Sequence, residues 1–373
     1  MNVLPVLTVL QDMDMARPAT AVLGAVVLLI SGCSGNDGLA GAQGTSASPQ
    51  WRSGEFQRVP AGWCRSVSAA TMQRLRVAAT DMGERRCLWR AVNEHDMFAR
   101  LQAEAHLHTP ARRFGGSATD EARLGFQNLP TSKAPGGVTV RGLGDEARLV
   151  HVNRLPGEHH EVRLAVRVRN IVVDLFAEQK ADIGEYGPAV SSFAVLEAGL
   201  VSAAGEIGAR LGARPQPAAP PAYQRGEHRS VGNVCAQADA AARRLVAGAR
   251  RRDLAPGDAG VSGGCKWADG DAPPGLSHLT VYVEAPPPSA ATGQSGTAVA
   301  KALFAAWRGD GSRAPKLGDQ AKRDHVDSTA SRLLVRRANL LLYIDYGRRD
   351  RPSKAAMDRE VAALAQAVLA AQR

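Results

Sequence analysis

Arg163-Leu-Ala-Val-Arg-Val-Arg-Asn170-Ile-Val-Val173 and Arg332-Leu-Leu-Val-Arg-Arg-Ala-Asn339-Leu-Leu-Leu342 are two renderings of the same stretch. Each alternates or runs apolar residues at strand spacing and places one asparagine at an equivalent point. Each therefore reads as two antiparallel strands or one long bent strand. Working outward, other features recur in the same order. Upstream lie Leu143-Gly-Asp-Glu-Ala147 and Leu317-Gly-Asp-Gln-Ala321, preceded by helical stretches over 119–127 and 298–307. Before those come the alternating strands Leu101-Gln-Ala-Glu-Ala-His-Leu107 and Leu279-Thr-Val-Tyr-Val283, then Cys87-Leu-Trp89 and Cys265-Lys-Trp267. Each half opens with a cysteine, Cys64 or Cys235, heading an alanine-rich helical pattern over 66–79 or 236–250, and closes with an amphipathic helix over 190–211 or 354–372. So many ordered landmarks at similar spacing point to a tandem duplication.

The expected fold is α+β: two copies of an antiparallel-sheet and helix sandwich, over 59–213 and 229–373. Between them, 214–228 contains a proline-rich spacer, Ala213-Arg-Pro-Gln-Pro-Ala-Ala-Pro-Pro-Ala222, expected to be extended and semi-stiff. A length of 373 residues suits two domains better than one core.

The five cysteines divide into one and four. Cys33 ends Leu29-Ile-Ser-Gly-Cys33, the small-residue pattern cut by a lipoprotein signal peptidase before the new N-terminal cysteine is acylated. The apolar run over 19–32 is short for a membrane span, which needs about 20 residues, and suits a signal segment of roughly 7–15. Asp12 and Asp14 interrupt the stretch before Arg17, so translation is read as starting at Met13 or Met15. The expectation is a signal peptide over 1–32, then a lipidated N-terminus and Gly/Ser-rich tether over 33–58. Two or more palmitate-type chains on Cys33 would hold the chain stably at the extracytoplasmic face of the cell membrane, where one chain is marginal. The remaining four cysteines allow three pairings. Each half holds one complete pair, so Cys64–Cys87 and Cys235–Cys265 are the economical disulfides in an oxidising compartment. Zinc held by the four sulfurs is the runner-up, and it lacks the close Cys-x-x-Cys spacing.

The leading Cys, the later Cys-x-Trp, then Gly-Leu-Gly-Asp-x-Ala and a closing β–β–α stretch resemble the actinobacterial lipoprotein domain of unknown function that commonly follows a lipobox. More distantly they resemble the extracytoplasmic sensor domain of mycobacterial receptor Ser/Thr kinases. The resemblance covers both halves. It implies a PsbP-like sandwich with one disulfide per domain and no catalytic residues. The second copy departs from the pattern, with Lys316 where the first has Gly142.

Four motifs invite chemistry. Gly142-Leu-Gly144-Asp145-Glu-Ala147 matches a loose dinucleotide fingerprint, but strand-like Arg148-Leu-Val-His-Val152 follows where that site needs a helix. Gly260-Val-Ser262-Gly-Gly264 matches a nucleophile elbow in inverted context, a strand rather than a helix following the serine; His278 and His325 are its candidate bases. His106 and His108 share a strand face, with His151, His159 and His160 elsewhere in the first half, a pattern that can bind metal; outward-facing strand residues are the simpler reading. Asp145 and Asp319 recur in both copies and read as turn caps. No catalytic, cofactor or metal site is therefore expected.

Composition agrees with a surface role. Lys+Arg 46 against Asp+Glu 36 gives +10, a balance that favours anionic lipid headgroups or acidic envelope polymers. Nucleic acid is disfavoured, because aromatics are 5% and no arginine cluster interleaves with them. The expected function is a non-catalytic binding or sensing module at the cell envelope, with an envelope lipid, polymer or protein as ligand. The alternative is an envelope hydrolase with an unrecognised site.

Overall fold

The computed structural model describes residues 51–91, 97–111, 116–155, 159–181, 191–216, 219–254, 261–268, 277–307, 309–310, 314–325, 329–348, 350 and 353–372. Cys33, the signal segment and most of the expected tether lie outside the described residues. Two antiparallel sheets and seven helices make up an α+β architecture. The first half supplies β1 (Val77–Met82), β2 (Arg86–Ala91), β3 (Met97–Leu107), β4 (Val138–Thr139), β5 (Glu146–Leu155), β6 (His159–Val168) and β7 (Ile171–Ala181), in the spatial order β1-β2-β3-β7-β6-β5-β4. The second half supplies β8 (Arg250–Leu254), β9 (Ser262–Ala268), β10 (His278–Glu284), β11 (Gln320–His325), β12 (Ala330–Arg337) and β13 (Leu340–Gly347), in the order β8-β9-β10-β13-β12-β11. Leaving aside the two-residue β4, the two orders coincide strand for strand.

The helices are α1 (Ala69–Leu75), α2 (Ala118–Asn128), α3 (Pro130–Lys133), α4 (Phe193–Arg210), α5 (Val234–Leu245), α6 (Gly296–Ala306) and α7 (Lys354–Ala371). Short polar side chains start them: Ser68, Ser117, Ser192, Asn233, Ser295 and Ser353 each accept a backbone N–H from the first turn. Two of the helical stretches read from the sequence prove too long. The one over 66–79 stops at Leu75, because Arg76 turns left-handed (φ 58) and the alanine-rich Val77–Met82 becomes an edge strand. The one over 236–250 stops at Leu245, and Arg250 begins edge strand β8. No helix among the described residues is long and apolar enough to cross a membrane.

Alternation along the strands decides what each face meets. Leu164, Val166, Val168, Val173 and Leu175 point to the side covered by α1 and α4, together with Leu196, Leu200 and Ile207. Ala165 and Val172 point to the other side, where Ala122 and Phe126 of α2 meet them. In the second sheet, Leu279, Val281, Leu333, Leu342 and Ile344 face α5 and α7. Its opposite face carries Leu334, Leu341 and Tyr343 against α6, and this layer merges with the core of the first half. The disulfides Cys64–Cys87 and Cys235–Cys265 close within their own halves, with Cα–Cα separations of 5.8 and 5.2 Å. Trp89 and Trp267 are each 1% exposed on the strand face of their cysteine, as two-residue spacing requires. Loops of this length contribute roughly 3 kcal/mol each in the chain-entropy account. With both pairs closed, the four-sulfur zinc alternative has no thiolates to use.

The duplicated Leu-Gly-Asp and asparagine positions lock the central hairpins. The turn between β6 and β7 is two residues long, and Arg169 is left-handed there (φ 55); Ala338 repeats this between β12 and β13 (φ 51). Asp145 accepts the Arg169 backbone N–H at 2.6 Å, and Asp319 accepts that of Ala338 at 2.8 Å. Arg167 and Arg336 grip the same aspartates at 3.1 and 3.0 Å. Gly144 (φ 89) and Gly318 (φ 56) bring the aspartates in so closely that a Cβ would sit 2.6 and 2.5 Å from the carbonyl oxygens of Arg167 and Arg336. Asn170 accepts from Phe56 N–H and donates to the carbonyls of Phe56 and His108; Asn339 accepts from His228 N–H and donates to those of His228 and Pro286. The correspondence also reaches outside the boundaries read from the sequence. Glu55 caps α2 through Thr119 N–H, as Glu227 caps α6 through Thr297 N–H.

The proline-rich spacer does not run clear of the fold throughout. Gln216 N–H donates to the Gly142 carbonyl at 3.1 Å, and a Cβ on Gly142 would collide with the Gln216 carbonyl. The equivalent Lys316 of the second half is exposed.

Candidate functional site

The sequence motifs with catalytic form lose it in three dimensions. After Gly142-Leu-Gly144-Asp145, β5 begins at Glu146, so no helix N-terminus faces the turn. Asp145 and Asp319 are hairpin clamps rather than caps of their own turns. Ser262 lies at one end of β9 opposite Glu284, whereas His278 pairs with Ala268 at the other end, six residues or about 20 Å along the ladder. His325 belongs to β11, four strands or roughly 19 Å away, and is held by Asp310 and Asp358 at 3.0 and 3.1 Å. Ser262 Oγ is buried without a hydrogen-bond partner among the described residues. Ser262→Ala is therefore expected to leave stability within about 1 kcal/mol and to change no labelling by a fluorophosphonate probe. Loss of a label on this substitution would restore the nucleophile.

The histidines scatter as well. His106 lies on β3 and His108 just beyond it, packed so tightly on α2 that its ring occupies the space of a Gly125 Cβ. Burial, then the nearby His106, push the His108 imidazole below its ordinary range. No third donor joins this pair among the described residues. His151 and His160 turn inward, His159 outward.

His151 and His160 belong to a buried polar group joining the halves. His151 Nε2 meets Glu197 Oε2 at 2.7 Å, and Ser289 of the second half donates to Glu197 Oε1 at 2.5 Å. Burial pushes the Glu197 carboxyl up, but hydrogen bonds from His151 and Ser289 outweigh it and hold the group below its usual value. His160 stacks on Phe193, with ring centroids 3.9 Å apart, and pairs through Nδ1 with the Ser191 carbonyl. Burial drives its pKa down to about 3, so the ring is neutral. Glu284 reaches across from β10 to accept the Phe193 backbone N–H at 3.0 Å and the Tyr282 hydroxyl at 3.2 Å. Burial raises its carboxyl to about 7. These groups are sealed from solvent, and their hydrogen bonds hold the two halves together.

The outward face of the first sheet differs. Its end beyond α2 carries a ladder in which Arg100 lies 5.7 Å from the Phe98 ring and 4.7 Å from the Phe176 ring, while Arg163 lies 5.4 Å from Phe176. Phe98 is 45% exposed. Glu178 joins the ladder, accepting from Arg100 at 3.0 Å and meeting His159 Nε2 at 2.8 Å. The His159 hydrogen bond, with Arg100 beside it, holds this carboxyl below its ordinary range against a partial burial. Arg163 donates to Glu161 at 2.6 Å. Sequence reading missed this group, although the signal was present. A two-residue turn after Val168 sets the register, which places Glu161 directly opposite Glu178. A separate open cleft of about 450 Å³ borders the first disulfide, lined by Arg65, Met82 and Glu84 among others.

No protein-family model matches the chain, and no curated protein matches it. Among solved structures, the di-domain ARO/CYC StfQ from the steffimycin biosynthetic pathway aligns over 83% of this chain and 93% of its own, at 10% identity and a TM-score of 0.15. So low a score carries no inference about fold or activity.

Proposed function

We propose that the chain is a lipid-anchored extracytoplasmic protein, built by duplication of one disulfide-stapled sandwich of PsbP-like type, that binds an envelope ligand without catalysing a reaction. One observation carries the binding reading: the outward sheet faces of the two halves have different uses. In the second half that face is consumed by α6 and the joint between halves, through Tyr282, Glu284 and Tyr343. In the first half the other end of that face, where the second half has His278, Arg332 and Asp345, presents Phe98, Arg100, Phe176 and Arg163 outward. Rings stacked with guanidinium groups form a preorganised surface for an anionic or polymeric partner, such as an acidic envelope polymer, lipid headgroup or protein. The anchor rests on the lipobox ending at Cys33 and on disulfides suited to an oxidising compartment.

The test is fractionation of cells producing wild-type protein and Cys33→Ala. Wild type is expected in the membrane pellet, labelled by a fatty-acid probe, and the variant without label, as uncleaved precursor or released protein. Equal labelling of both would overturn the anchor.

A further inference from the structure

We propose that His159, Glu161 and Glu178 form a binding site for one divalent transition-metal ion of the zinc type. This goes beyond the anchored-binding reading and departs from the expectation of no metal, which was drawn from the first-half histidines, His159 among them, and from the four later cysteines. A ligand atom from each of the three side chains lies within 4.8 Å of the other two. Zinc bonds to nitrogen and oxygen are about 2.0–2.2 Å, so ligand atoms of a tetrahedral site stand roughly 3.4 Å apart. Rotamer adjustments of about an ångström close the difference. One imidazole with two carboxylates suits zinc and its neighbours better than calcium or magnesium, which favour all-oxygen sets.

Three further observations favour an ion here. First, Glu161 and Glu178 are directly opposed on adjacent strands, and His159 meets Glu178, so the strand register itself brings three potential donors together. The Glu161 side chain is only 2% exposed, and those of His159 and Glu178 are 14% and 13% exposed, so the group is largely shielded from water yet remains reachable. Second, arginines donate to both carboxylates: Arg163 Nε to Glu161 Oε1, and Arg100 to Glu178 Oε2. Both arginines are fixed against Phe176. Outer hydrogen bonds of this kind orient a ligating carboxylate. On binding, the ion would take the place of the proton shared by His159 Nε2 and Glu178 Oε1, which passes to solvent, and the neutral imidazole would carry its proton on Nδ1.

Third, the protein contains its own control. The matched hairpins, aligned on Asn170 and Asn339, place Ala330 and Gly347 where the first half has Glu161 and Glu178, and these also pair directly. The hairpin therefore forms without the carboxylates. The first copy alone carries the pair, so closure of the hairpin does not account for it. Three protein donors leave a fourth position for water or for a group on the envelope ligand.

The experiment is calorimetric titration of ZnCl2 into the full mature chain, metal-stripped, at neutral pH, with the double variant Glu161→Gln/Glu178→Gln, with His159→Ala, and with His106→Ala/His108→Ala. Circular dichroism and thermal melting of each apo-protein establish its folding. The expected result is one zinc per chain, affinity at least 30-fold weaker in the double variant and in His159→Ala, and unchanged affinity in the His106/His108 variant. Zinc should also raise the Tm of wild type but not of His159→Ala. Absence of saturable binding, or equal binding by wild type and both site variants, would overturn the site. Should the double variant fail to fold, His159→Ala decides alone. Membrane attachment through Cys33 is read separately, so failure here leaves that reading intact and the reverse also holds.

Discussion

Asn339→Ala is expected to destabilise the protein by about 3 kcal/mol, and Asn170→Ala by a similar amount. Each asparagine is fully buried and satisfies three backbone groups at once: one N–H and two carbonyls. Truncation leaves those groups without partners where water cannot readily replace them. The groups also come from distant places. Asn339 ties the β12–β13 turn to His228, before the second cysteine pair, and to Pro286, after β10. Loss of one side chain therefore loosens three segments. Urea unfolding of wild type and both variants, with Tm shifts on the order of 5 °C, checks this. An unchanged midpoint in either variant would mean that the asparagine does not hold its hairpin.

The second large effect is a pH dependence that Glu284→Gln reshapes. The carboxyl of Glu284 has a folded pKa of about 7 against an ordinary 4.5. Between those values the folded state binds more protons than the unfolded, so stability falls as pH rises, reaching a loss of roughly 3 kcal/mol above pH 7. His160 has the opposite slope. Its folded pKa of about 3 lies below the ordinary 6.5, so the unfolded state binds the extra proton and stability falls as pH drops through that window. Between about pH 4.5 and 6.5 the two slopes offset each other. His108 and His228, also held low by burial, add to the slope of His160, so Glu284 reduces the rise of wild type across that window rather than setting it. Glu284→Gln should therefore rise more steeply from pH 4.5 to 6.5 and exceed wild type by about 3 kcal/mol at pH 8. Denaturation curves collected from pH 4.5 to 8 measure it; parallel profiles for the two proteins would contradict the buried carboxyl.

Much of the fold could be read from the chain because its main landmarks recur in the same order in both halves. The cysteine pairs, the Cys-x-Trp strands, the long hairpins after Leu-Gly-Asp and the closing helices all appear as expected. Edge strands β1 and β8 were not legible, since Val77-Ala-Ala-Thr80 and the arginines at 250–252 lack alternation and their strand state comes from pairing with β2 and β9. The early Gly-Glu pair, 54–55 and 226–227, repeats over only two residues, too short a pattern to signal its helix-capping role. The joint between halves was not legible. His160 and Glu197 lie far in sequence from Glu284 and Ser289, and no local pattern records that α6 would be drawn into the joint while α2 packs only on its own sheet. Only composition hints at it, through the apolar Ala-Val-Ala-Lys-Ala-Leu-Phe of 298–304 against the polar Asp-Glu-Ala-Arg of 120–123.

Intact-mass and peptide mass spectrometry of protein extracted from membranes without reductant tests the central claim most directly. The expected spectrum has a mature N-terminus at a diacylated Cys33, one linked peptide pair joining Cys64 to Cys87 and another joining Cys235 to Cys265. An unprocessed, unacylated N-terminus, free thiols at these four positions, or a link crossing between the halves would contradict it.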